Sequence, residues 1–135
     1  MKIKHFPTCV GAGCLCVVLG FATQMPGADV NSVWNGGAGN WSTAANWTPN
    51  TNYPNNGNGG LNYNARVSAG TVTLTEPITI QQYTNAGGTI TGDFPLTING
   101  LFTWSGGVLG GNEAVNANGG ISLITGTKTL TSRTL

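Results

Sequence analysis

The chain has 135 residues, of which 22 are glycine, and only 7% are charged, with a formal net charge of +1. That length suits one domain. So little charge excludes a basic face for nucleic acid and a polybasic membrane anchor. The abundance of glycine, threonine and asparagine favours strands and tight turns over helices.

Residues 1–22 are predicted to be a secretory signal peptide, a short helix with a positive head at Lys2, Lys4 and His5. An uncharged apolar run from Cys9 to Phe21 follows, and the small residues of Gly20-Phe21-Ala22 place the cut after Ala22. The run is too short to span a membrane comfortably. Gly11-Ala12-Gly13-Cys14 loosely matches a lipobox, which gives lipid anchoring as the alternative. Cleavage would remove Cys9, Cys14, Cys16 and His5, leaving Arg66, Lys128 and Arg133 against Asp29, Glu76, Asp93 and Glu113. Without disulfides, stability must come from strand ladders and stacked apolar side chains.

Residues 23–33 have the composition of a linker. Residues 34–64 form a region rich in tryptophan, glycine and asparagine, with Trp34, Trp41 and Trp47 close together and a turn-rich tail through Pro49, Pro54 and Asn55-Asn56-Gly57-Asn58-Gly59-Gly60. This region is expected to cap the domain that follows. From residue 65 a strand pattern sets in at Ala65-Arg66-Val67. In Thr71-Val72-Thr73-Leu74-Thr75 apolar and hydroxyl side chains alternate, giving one apolar and one polar face. That regularity separates residues 66–135 from a disordered glycine-rich chain.

Residues 77–111 repeat themselves. Pro77-Ile78-Thr79-Ile80 returns as Pro95-Leu96-Thr97-Ile98, and Tyr83 to Gly92 returns as Phe102 to Gly111. The offset grows by one residue where Asn99-Gly100-Leu101 replaces Gln81-Gln82. A weaker unit follows in Gly119 to Gly126, Thr129-Leu130 and Thr134-Leu135. A period of this size marks a solenoid, whose units bury their apolar faces only by stacking. The expected fold class is therefore all-β, a short parallel β-solenoid over residues 65–135. Ile78 should lie near Leu96 and Ile80 near Ile98, with Pro77 and Pro95 at strand starts. The glycine pairs 87–88, 106–107 and 119–120 should sit at corners. Open sheet edges need covering. The tryptophan region is expected to cover one end, and the rung near Leu135 is expected to continue in a longer repeat protein.

The stretch Trp34-Asn35-Gly36-Gly37-Ala38-Gly39-Asn40-Trp41-Ser42-Thr43-Ala44-Ala45-Asn46-Trp47 resembles the opening of secreted bacterial β-helix proteins with autotransporter-associated β-strand repeats. Phe102-Thr103-Trp104-Ser105-Gly106-Gly107 and Lys128 to Leu135 are similar to repeat phrases of those proteins. The resemblance covers residues 33–135. It implies a right-handed β-helix, surface-exposed or secreted and often adhesive. The chain departs from the pattern in carrying no C-terminal β-barrel or sorting signal.

After the expected cleavage no histidine or cysteine remains, which removes Ser-His-Asp and Cys-His sites and the usual zinc ligand sets. Glu76 and Asp93 are spaced close to one rung apart, as a glycosidase pair or a calcium site would need. Solvated turn residues are the plainer reading. Trp34, Trp41, Trp47, Tyr53 and Trp104 are the candidate glycan-stacking residues, set against their use as cap and interior packing. Asn40-Trp41-Ser42 and Asn46-Trp47-Thr48 match glycosylation sequons, relevant only in a eukaryotic secretory pathway.

No cofactor, metal or catalytic residue is expected. The leading expectation is a non-catalytic, secreted or cell-surface structural and adhesive module, with glycans, surface components or further rungs as partners. A carbohydrate-binding module and part of a polysaccharide-degrading β-helix enzyme are the alternatives.

Overall fold

Alternating side chains set the local structure, because successive residues of a strand point to opposite faces. In Thr71–Leu74, Val72 and Leu74 are buried while the threonines point outward. The computed structural model describes residues 27–135 and has twelve strands there. They are β1 (Asp29–Trp34), β2 (Ala38–Asn40), β3 (Trp47–Thr48), β4 (Asn62–Val67), β5 (Thr71–Leu74) and β6 (Ile78–Ile80). Then come β7 (Gln82–Gly92), β8 (Leu96–Ile98), β9 (Phe102–Gly110), β10 (Val115–Ala117), β11 (Ile121–Leu123) and β12 (Lys128–Thr131).

These strands form an all-β parallel solenoid with three faces. On face one, β1, β4, the first part of β7, the first part of β9 and β11 stack in parallel. On face two, β2, β5, the later part of β7, the later part of β9 and β12 do the same. Face three is β6, β8 and β10. Ile78 pairs in register with Leu96 and Ile80 with Ile98, as the repeat predicts. Pro77 and Pro95 immediately precede β6 and β8, where a missing N–H costs no ladder bond. The extra residue of the later unit is absorbed between β8 and β9.

The glycine pairs divide between two corners. Gly87–Gly88 and Gly106–Gly107 lie where β7 and β9 turn from face one to face two, and the register shifts there while both strands continue. At this corner Gly107 has φ +89°, and a Cβ would run into the Gly88 carbonyl. Gly119–Gly120 lies instead between β10 and β11, at the corner from face three to face one. There Gly119 packs on Gly100, and Phe102 N–H donates to the Gly120 carbonyl at 3.0 Å.

Two expected boundaries shift. The expected linker 23–33 gives way to strand at Asp29, because β1 pairs with β4 over five residues, from Asp29 against Asn62 to Val33 against Arg66. The expected cap 34–64 also contains β2, which pairs with β5. An additional rung thus precedes residue 65. The predicted signal helix at 1–22 lies outside the described residues.

Residues 41–61 close the first rung without a strand on face three. Part of that face is extended by Asn56, whose N–H donates to the Thr79 carbonyl at 2.7 Å. The Asn55 side-chain oxygen accepts from Thr79 N–H at 3.0 Å. On face one, β3 runs antiparallel along the outer edge of β1, Trp34 facing Trp47. Covering an edge in this way removes a template for pairing with another chain. At the opposite end Ile121, Leu123 and Leu130 are exposed, although their register partners Phe102, Trp104 and Leu109 are buried.

Candidate functional site

The tryptophan-rich segment forms a buried aromatic cluster. Trp34 meets Trp47 edge-to-face at 5.1 Å between ring centroids, and Trp47 meets Trp41 at 4.7 Å. Trp41 then lies 6.0 Å from Tyr83, Tyr83 stacks on Phe102 at 5.3 Å, and Phe102 stacks near Trp104 at 6.0 Å. One aromatic series therefore runs through the interior from the first rung to the fourth. Its path follows from residue size: Ser32 and Ala65 precede Tyr83 in the same register column. Small side chains there leave room for the Trp41 indole.

Each indole N–H is satisfied inside the protein. Trp34 donates to Gly37, Trp41 to Pro54, Trp47 to Trp41 and Trp104 to Gly106, at 3.0, 2.7, 2.7 and 3.0 Å to the backbone carbonyls. Buried indoles need such partners. Trp41 and Trp47 are fully enclosed, and Trp34 and Trp104 are 5% exposed. Their faces pack against protein, so a pyranose ring has no exposed indole to stack on. Tyr53 alone among the five candidates is partly exposed, packed at the margin of the core. Hydrogen bonding with Glu76 raises its phenol above the ordinary value.

Glu76 and Asp93 have separate surroundings. Glu76 lies beside Tyr53, whereas Asp93 accepts a 2.7 Å hydrogen bond from the Asn112 side chain on the next rung. Among the described residues no group of three or more His, Cys, Asp or Glu side chains is placed to hold a metal ion. No helix among them is long and apolar enough to cross a membrane.

A shallow depression of about 290 Å³ lies on the outer side of face one, lined by Asn31, Val33, Asn64, Arg66, Gln82 and Thr84 among others. The Asn64 amide donates to the Asn31 side-chain oxygen at 3.0 Å, and Arg66 Nε donates to Ser68 Oγ at 3.2 Å. This is a hydrogen-bonding surface of amides, hydroxyls and one guanidinium.

Sequence reasoning passes over two features. Arg133 is buried, with its guanidinium spanning the corner between faces two and three. It donates to the carbonyls of Gly110, Gly92, Phe94 and Ala114 at 2.7, 2.8, 3.2 and 3.3 Å. Burial lowers its pKa, while Glu113, Asp93 and Tyr83 oppose the shift. The second feature is the Thr-X-Thr phrase at 71–73, 89–91 and 129–131, which the register aligns on one face. Its signal is the phrase itself, which is hidden when the repeat is read for its apolar residues.

Compared with protein-family models, curated proteins and solved structures, the chain matches none of them.

Proposed function

We propose that this structural β-solenoid module is secreted or displayed on a bacterial surface and works there by adhesion, without catalysis. The observation that carries the reading is how the polar groups are used. The interior is an aromatic and aliphatic stack, and the buried cation Arg133 is spent on backbone carbonyls. Amides and hydroxyls face outward, as in the Asn31–Asn64 pair and the depression around it, beside exposed apolar side chains such as Val33. Such a surface binds by many weak hydrogen bonds, and its affinity would come from repetition along the solenoid.

Export rests on the basic, apolar and small-residue pattern of residues 1–22. The partners proposed are surface glycans or other surface components, met through outward amides and hydroxyls rather than through tryptophans.

The test is to express the full chain with a C-terminal tag in a bacterial host, fractionate the cells, and measure retention of chain-coated beads on cell and glycan surfaces under flow. The tag should appear outside the cytoplasm, and the beads should be retained. A tag confined to the cytoplasm, or beads that wash off every surface, would overturn the reading.

A further inference from the structure

We propose that the outer surface of face two is an ice-binding face, a threonine array that holds an ice crystal through ordered water. The register carries the argument. One row runs Ala38, Thr71, Thr89, Val108, Thr129, and the next runs Asn40, Thr73, Thr91, Gly110, Thr131. Val72, Ile90 and Leu109 lie between the rows and are buried, so the flanking side chains point outward. Neighbours stand about 4.8 Å apart across rungs and about 6.6 Å apart along a strand. That is a two-dimensional lattice of Thr-X-Thr units on three of five rungs.

Threonine suits this task for two reasons. Its β-branching fixes the side chain on a strand, so hydroxyl and methyl repeat with the backbone. Its hydroxyl both donates and accepts, as lattice water does. Val108 keeps the shape of threonine in its row, and Gly110 leaves a one-residue gap.

Charge selects the occupant. Neither row contains an ionisable side chain, whereas face one displays Arg66 on its outer side. An ion would hold its own hydration shell out of step with a crystal lattice, and a neutral face suits a neutral lattice. A crystalline neutral polysaccharide is gripped by aromatic rings, and neither row contains one. Face three offers only one such row, Thr79, Thr97 and Asn116. This inference goes beyond the adhesive reading and does not depend on it.

The experiment is nanolitre osmometry on the full chain, with ice-crystal shape recorded beside the thermal hysteresis. The chain should facet ice crystals and hold a measurable hysteresis gap. Thr91→Lys, at the centre of the array, should lose most of that gap while keeping its circular dichroism spectrum. Thr73→Lys serves the same purpose if the first variant does not fold. Thr97→Lys on face three should retain the parent's gap. Round crystals with no gap for the parent chain, or equal loss in Thr97→Lys, would overturn the proposal. So would retention on insoluble cellulose that Thr91→Lys abolishes while leaving the ice gap intact.

Discussion

Arg133 and Gly92 are joined by a 2.8 Å hydrogen bond from Nη2 to the carbonyl, although 41 residues separate them in the chain. The same guanidinium also reaches Gly110, Phe94 and Ala114. It thereby ties the last described rung to the corners of the two before it. Cutting the side chain back takes this donor from the buried Gly110 carbonyl and from the part-buried carbonyls of Gly92 and Phe94, while the Ala114 carbonyl keeps Leu96 N–H. Arg133→Met is expected to cost about 2–4 kcal/mol of unfolding free energy by urea titration. Arg133→Lys should recover less than half of that, since a single ammonium cannot reproduce the planar fork.

The Tyr83 hydroxyl is buried and has no hydrogen-bond partner. Its desolvation penalty opposes folding, and a phenylalanine in its place would keep the ring stacked on Phe102 without that penalty. Tyr83→Phe is therefore expected to raise stability at pH 7, by about 1 kcal/mol. Burial also raises the phenol well above its ordinary 10.0, an effect that Arg133 partly offsets. The sign follows: below pH 10 the phenol is neutral in both states, and its contribution is fully present. As pH rises past 10 the unfolded chain ionises first and stability falls. Denaturation midpoints between pH 9 and 11.5 should decline less steeply in the variant than in the parent.

Gly107 and Gly36 share a left-handed backbone but differ in surroundings. Gly107 has φ +89° and packs against the Gly88 carbonyl, whereas Gly36 has φ +93° and open space. Gly36→Ala should cost only the backbone strain, about 1 kcal/mol. Gly107→Ala adds a collision with the neighbouring rung and should cost clearly more than that. Equal thermal shifts in the two variants would mean that the rung spacing at this corner yields freely.

The repeat was legible where the interior repeats. Ile78 over Leu96 and Ile80 over Ile98 could be paired from sequence because both rungs fill those columns with aliphatic side chains. The first rung could not. Among its inward positions Val30, Ser32, Trp34 and Gly39, the small Ser32 and Gly39 break the columns that later rungs fill with Tyr83 or Phe102 and with Val72, Ile90 or Leu109. Strand β1 therefore showed an apolar alternation interrupted at Ser32, and most of it had the composition of a linker. Arg133 was illegible for another reason, since its role depends on carbonyls brought close only by the finished coil. The tryptophans showed that an aromatic cluster exists, but not which way their faces turn. Packing decides that through the small residues Ser32 and Ala65.

All four indoles are enclosed, and each N–H is already bonded to a carbonyl. Acrylamide should therefore quench the folded chain weakly and the urea-unfolded chain strongly. Trp41→Ala, which empties the junction between Trp47 and Tyr83, should cost about 3–5 kcal/mol. Adding soluble glucans, chitin oligomers or mannans should leave the tryptophan emission of the parent unchanged in wavelength and intensity. Any glycan contact through outward amides and hydroxyls would instead be seen by calorimetry, with the indoles silent. A blue shift on adding one of these glycans would mean that an indole opens to solvent and carries the sugar, and would restore the tryptophans as the binding residues.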